Sequence, residues 1–322
     1  MTLRILLAAA AVAAGLAVPA QAQTYPSKNV TIVVSLAAGT GMDAVARIYA
    51  DRLSHALGKP VLVENKPGAA TTLAANAVAT APADGHTLVV LTAIALSINP
   101  TLFKQLPYDP DDFIPISLYA KSPFILVVNP QLQANTVPEF IKLAKASNPP
   151  LSYASIGNGS LQHMSMEFAK QRFGFEATHV PYRSTSQALT DVVAGHVALC
   201  TFTLSSTAQF LRAGQLVGVA VTSPERMPDQ PELPTFKELG YPQLVGTTWF
   251  ALSGPAKFPE DVAEKLNREV AVAVALPDVQ ARLRRDGFIA EPMSRAEFTK
   301  FVGDEAARWK PLVEKAGLAG KG

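Results

Sequence analysis

Cysteine is nearly absent from this 322-residue chain, where Cys200 stands alone. A lone thiol makes no internal disulfide and supplies no paired zinc ligands. Its setting, Val197-Ala198-Leu199-Cys200-Thr201-Phe202, is apolar and strand-like, so a buried structural role is expected rather than a nucleophile. Long charged runs are missing too. The balance of 28 Lys+Arg against 26 Asp+Glu leaves a net charge of +2, which argues against nucleic acid or a membrane surface as partner. His55, His86, His163, His179 and His196 are scattered singly, with no H-E-x-x-H or G-x-S-x-G segment. The carboxylates show no spacing that singles out an acid–base pair. No metal, no cofactor and no catalytic residue is expected. Past the first two dozen residues, no apolar stretch reaches the length of about 20 residues that spans a bilayer.

What is present begins at the N-terminus. Arg4 precedes a run from Ile5 to Val18 built of apolar residues, Ala and Gly, and Ala20-Gln21-Ala22 ends it. This has the form of a secretory signal over residues 1–22, cleaved after Ala22. No Cys follows the cleavage point, so no lipid anchor is expected. The mature chain is expected to be soluble and exported to the periplasm, away from ATP and NAD pools.

The body alternates strand and helix. Short β-branched runs at 29–35, 60–64 and 87–91 are separated by helical patterns at 42–57 and 69–81, with tight turns between. That grammar predicts a parallel sheet with covering helices. A second segment repeats it, with strands at 124–128, 151–155, 177–180, the Cys200 run and 216–222. A strand at 249–252 and three helical stretches at 260–275, 277–286 and 295–316 finish the chain. The fold class expected is α/β, with room for two modest domains sharing one cleft.

Gly39-Thr40-Gly41-Met42-Asp43-Ala44 matches the G-x-G-x-x-A dinucleotide pattern. Three residues separate the strand end from the first glycine, and Asp43 places a negative charge beside the pyrophosphate position. The physics beneath the pattern remains: Gly39, Thr40 and Gly41 can aim backbone N–H groups at an anion from a helix start. Gly157-Asn158-Gly159-Ser160 offers the same device before another helix. Two such turns, one per domain, suggest a carboxylate gripped from both sides of a cleft. The plainer reading, tight turns with Asp43 and Ser160 as capping residues, stays open. His163, one turn into the second helix, is a candidate ligand contact. With Ser160 it also forms the pair that an exported hydrolase would need. Trp249 either joins the core or walls a pocket.

Several segments in order resemble the tripartite tricarboxylate transporter substrate-binding proteins, also called the Bug family. They include Tyr25-Pro26-Ser27 through Val34, Gly39 to Asp43, Val63-Glu64-Asn65-Lys66-Pro67-Gly68-Ala69, Pro82-Ala83-Asp84-Gly85-His86-Thr87-Leu88, Leu106-Pro107-Tyr108-Asp109-Pro110, Leu151 to Ser155, His179-Val180-Pro181-Tyr182 and Leu233-Pro234-Thr235-Phe236. The resemblance implies a type II periplasmic binding fold of two α/β domains joined by two crossing strands. Domain 1 would be residues 23–123 plus 249–322, and domain 2 residues 124–248. It implies a small carboxylate ligand, dicarboxylic or aromatic, held in the interdomain cleft by a monomer. The partner would be a tripartite-type membrane permease or a sensor kinase. The ligand loops would be Ala37–Asp43, with Ala38, Gly39, Thr40, Gly41 and Asp43 in contact, and Ile156–Ser160, with Ile156, Gly157, Asn158, Gly159 and Ser160. Tyr182 and Trp249 join the expected contacts. Where the family has V-P-F-A-P-G-G, this chain has Val34-Ser35-Leu36-Ala37-Ala38-Gly39-Thr40. Where it has Lys-Gly after His-Val-Pro-Tyr, this chain has Arg183-Ser184, and Arg183 is a candidate forked carboxylate contact.

Overall fold

The computed structural model describes residues 25–321, apart from positions 69, 70, 158, 159, 245, 316 and 318. The expected signal at residues 1–22, and the candidate contacts Asn158 and Gly159, lie outside the described residues.

The strands form one path in two halves, with one strand pairing off that path. In the first half, β1 (Val30–Val34) runs parallel between β2 (Val61–Asn65) and β3 (Thr87–Thr92). Beyond β3 lie β9 (Thr247–Pro255) and then β4 (Phe113–Val128), each antiparallel to its predecessor. β4 changes partners midway. Phe113 to Pro123 pairs with β9, whereas Phe124 to Val128 pairs with β7 (Leu199–Thr203) on one side and, off that path, with β8 (Val217–Val221) on the other. β5 (Leu151–Ser155) and β6 (Ala177–Pro181) extend the second half in parallel beyond β7. The chain returns through β9, whose Thr247 pairs with Pro123. β4 and β9 are thus the two crossing strands.

Helices cover both faces. They are α1 (Gly41–Leu57), α2 (Thr72–Ala79), a π-helical turn (Ile94–Ile98) leading into α3 (Asn99–Leu102), α4 (Val137–Ala146), α5 (Leu161–Phe173), α6 (Thr185–Val193), α7 (Leu204–Arg212), α8 (Glu260–Ala275), α9 (Pro277–Arg285) and α10 (Arg295–Lys315). Strand alternation decides which face each residue serves. Val30, Ile32 and Val34 pack with α1 and α8 residues such as Val45, Leu53 and Leu266, while Val33 packs on the opposite face with Ala74, Val78 and Trp249. The second half repeats this, with Leu126 and Val128 on one face and Ile125 and Val127 on the other. Double-sided burial explains why these strands read as unbroken apolar runs.

Two elements escape the sequence pattern. The first eleven residues of β4 contain Pro115, Ser117, Lys121 and Pro123, which argue against a strand by composition. Pro115 is tolerated because the register shifts between it and Ser117. α7 follows β7 with no intervening turn, so no boundary signal separates them.

Candidate functional site

Parallel strands aim their carboxyl ends the same way, and each short loop there feeds a helix N-terminus. A cavity of about 400 Å³ lies at these ends, a usual ligand-site volume in the usual place for open α/β sheets. Every strand that contributes does so through the residues just after it. β1 supplies Ser35, Leu36, Ala37 and Thr40; β2 supplies Pro67, Gly68 and Thr71; β3 leads to Ile94, Ile98, Asn99 and Leu102. From the second half, β5 supplies Ile156 and Ser160, and β6 supplies Tyr182, Arg183, Ser184 and Thr185.

Four of these lining residues are helix N-caps: Thr40 of α1, Thr71 of α2, Ser160 of α5 and Ser184 of α6. Each helix start carries partial positive charge from its aligned peptide dipoles. Arg183, exposed, is the one charged residue among those lining the cavity, and it has no hydrogen bond or ion pair with other described residues. Ile94, Ile98 and Leu102, spaced four apart, line it alongside Leu36 and Ile156 as an apolar wall. The cavity therefore suits an anion with an apolar body.

The loop after β1 is tied down by its own acid. Asp43 accepts from the Gly39 N–H at 3.0 Å, from Arg47 Nε at 3.0 Å and from Asn65 Nδ2 at 3.0 Å. Asn65 Nδ2 also donates to the Leu36 carbonyl at 2.9 Å. Burial raises the Asp43 pKa, but the hydrogen bonds from Arg47, Gly39 and Asn65 outweigh it and hold the carboxyl below its ordinary value. This carboxylate accepts the N–H that a dinucleotide phosphate would need, which disposes of the fingerprint on geometric grounds. The Gly41 N–H is likewise spent, on Ser206 Oγ at 3.4 Å, and the Thr40 N–H on the Ala37 carbonyl at 3.4 Å.

Of the expected contacts, Thr40, Ile156, Ser160, Tyr182 and Arg183 come together around the cavity. The other described ones are not among its lining residues. Ala38 and Gly39 face solvent. Gly41 and Asp43 are buried behind the loop, with the N–H and carboxylate partners just given. Gly157 forms the turn, its N–H donating to Ser155 Oγ at 3.0 Å. The His163 ring stacks on His179 with centroids 4.3 Å apart, and Ser160 Oγ accepts from the His163 backbone N–H at 3.3 Å rather than meeting its ring. Trp249 is fully buried. It packs edge-on to Phe298 and Phe301 and donates from Nε1 to Glu305 at 3.2 Å, so it is core.

Tyr182 presents its ring rather than a free hydroxyl, because the hydroxyl donates to Asp191 at 2.7 Å. Burial and that carboxylate push its pKa up to about 12. Behind the Ile156–Ser160 loop, Ser155 Oγ lies 2.6 Å from His179 Nε2. Ser155 is fully buried and also bonds both N–H and C=O of Gly157, so it props the turn. Sequence reasoning passed over the Pro67–Thr71 loop, the Ile94–Leu102 wall and Thr185. The signal was available: each follows a strand of the parallel set or opens a helix fed by one.

The model of the tripartite tricarboxylate transporter family receptor matches residues 45–318. Protein BugT of Bordetella pertussis is 30% identical over 306 residues, covering 94% of each chain. Among solved structures, Rpa4515 of R. palustris with adipate superposes with a TM-score of 0.85 at 32% identity, covering 92% of this chain and 99% of that one. MatC (Rpa3494) from Rhodopseudomonas palustris, with bound malate, gives 0.80 at 32% identity, covering 90% and 100%. These matches take in both halves of the sheet and both crossing strands, so the fold is the type II periplasmic binding fold, and the chain belongs to the tripartite tricarboxylate transporter receptor family, the Bug proteins.

Proposed function

We propose that this protein is exported to the periplasm and captures a small organic acid in the cavity between its halves, without covalent chemistry. The observation that carries the reading is the convergence of four helix N-caps and Arg183 on one partly apolar cavity. Helix-start dipoles and a guanidinium favour a carboxylate, and the aliphatic wall excludes water from it. The adipate and malate bound to two relatives at 32% identity support the same ligand class. Residues 23–123 with 249–322 would act as one lobe and 124–248 as the other, closing about β4 and β9. Residues 1–22 would serve as the cleaved signal. The bound form would be handed, as a monomer, to a tripartite-type permease, or to a sensor kinase.

The test is thermal unfolding of the refolded mature chain against mono-, di- and tricarboxylates and aromatic acids. At 100 times its dissociation constant a ligand adds about 2.7 kcal/mol of stability. A selective rise in Tm of several degrees supports the reading. No rise with any acid overturns it.

A further inference from the structure

The apolar wall of the cavity rests on a weak element. Ile94, Ile98 and Leu102 stand on the π-helical turn and on α3, which has four residues and no side-chain cap. So short a helix does not offset the cost of forming its first turn, and π geometry adds little. The position of the wall must come from what it packs against. Ile94, Ile98 and Leu102 gather in one cluster with Trp309 and Val313 of α10 and with Phe124, the residue at which β4 changes partners.

Trp309 is itself tied. Its Nε1 donates to Glu305 Oε2 at 3.2 Å, and Trp249 Nε1, from the crossing strand β9, donates to the same oxygen at 3.2 Å. The chain has two tryptophans, and both give their N–H to this one carboxylate. Glu305 is 7% exposed. Its other oxygen accepts from Arg308 Nη1 at 3.1 Å, and Arg308 is half exposed. A core-facing helix position is ordinarily apolar, and a buried carboxylate costs free energy unless its hydrogen bonds are met. Here those bonds make a fixed link from a crossing strand, through α10, to the back of the cavity wall. We infer that Glu305 is a positioning residue for capture: by clamping Trp309 to Trp249, it holds the Ile94–Leu102 wall where the bound acid needs it. Glu305 itself does not line the cavity. Without the clamp the wall samples other positions, and the apparent Kd rises as the competent fraction falls. This rests on the organic-acid reading above.

The test uses the refolded mature chain, the best-bound acid of the unfolding panel, and the variants Glu305→Ala, Glu305→Gln and Arg308→Ala. Each is titrated calorimetrically well below its own Tm, where a loss of stability alone leaves Kd unchanged. Glu305→Ala raises the Kd about tenfold. Glu305→Gln keeps a carbonyl oxygen for both indoles and stays within about threefold of the unaltered chain. Arg308→Ala removes only the exposed partner and stays within about twofold. If Glu305→Ala does not fold, Trp309→Phe takes its place, removing the hydrogen bond behind the wall while keeping a ring there, with the same direction of change. Acrylamide quenching of indole emission gives a second readout. Trp249 is fully buried, so the quenchable emission is that of the half-buried Trp309. In the unaltered chain the acid lowers quenching, because a filled cavity fixes the wall in front of Trp309. Unliganded Glu305→Ala is quenched more strongly than the unliganded unaltered chain. An unchanged Kd on loss of the clamp, a loss in Glu305→Gln as large as in Glu305→Ala, or quenching that the acid leaves unaltered overturns the assignment of Glu305 while leaving acid capture standing. Failure of every acid to bind the unaltered chain overturns the organic-acid reading, and this inference with it.

Discussion

Gly41→Ala should drive the start of α1 into the start of α7, at the joint between the two halves. A Cβ at position 41 would lie 2.2 Å from Ser205 Oγ and 2.8 Å from Ser205 Cβ. Rotating the hydroxyl removes the first clash but not the second. α7 has little room to retreat. The Ser205 N–H donates to Ser122 Oγ at 3.1 Å, and Ser122 Oγ donates to the Gly287 carbonyl at 3.1 Å. Gly287 itself packs so close that a Cβ there would meet the side chain of Leu204 at 2.7 Å. Overpacking of this kind costs about 1–3 kcal/mol, a fall in Tm of about 2–4 °C per kcal/mol for a chain of this size. Ser205→Gly removes both clashing atoms, at a cost of about 0.5–1 kcal/mol for glycine in a helix. The double variant should therefore recover most of the loss caused by Gly41→Ala. Thermal unfolding of the four proteins measures the coupling. The reasoning fails if Gly41→Ala leaves Tm unchanged, or if Ser205→Gly merely adds its own cost. Because Gly41 does not line the cavity, the double variant should also bind acids as the unaltered chain does.

Arg183→Gln should raise the Kd for the best-bound acid by about tenfold, since charge-assisted hydrogen bonds are the strong ones; titration at two salt concentrations should show weaker salt dependence as well. Asp43→Ala takes the acceptor of the Gly39 N–H, which water can replace, and one of the two acceptors of the Asn65 amide, which keeps the Leu36 carbonyl. It should lower stability by about 1 kcal/mol in urea unfolding, as for a typical net hydrogen bond, with little from the half-exposed Arg47. His179 is held below its ordinary pKa, first by burial and then by His163, with Lys170 acting the same way and Glu167 opposing. The unfolded chain therefore takes up a proton at this position before the folded chain does. Stability should fall as pH drops below the unfolded value of about 6.5 toward the depressed folded value, and His179→Gln should flatten that slope in pH-dependent melting curves.

Much of this molecule was legible from local sequence. The helix over 260–275 and the strand over 151–155 coincide with α8 and β5, because apolar spacing and flanking Pro and Gly act within a few residues. The α/β class followed from the alternation of strand and helix, and the family from motifs in order along the chain. The loop after β1 was also found in sequence, but its role was inverted in part. Gly39 and Gly41 look like free donors until Asp43 and Ser206 are seen to take their N–H groups. Trp249 was equivocal because one strand residue faces core or cleft according to alternation against the neighbouring strands.

By itself, then, the chain determined most of its elements and the handover from strand to helix wherever a turn separates them. Tertiary structure alone decided which helix starts share a cavity. Thr40, Thr71, Ser160 and Ser184 are far apart in sequence and meet because β1, β2, β5 and β6 end on the same side of their parallel sheets. It also decided which polar groups are already spent within the protein. Hydrogen-bond partners are long-range facts, set by how β4 and β9 bring the two halves together, and no local pattern encodes them.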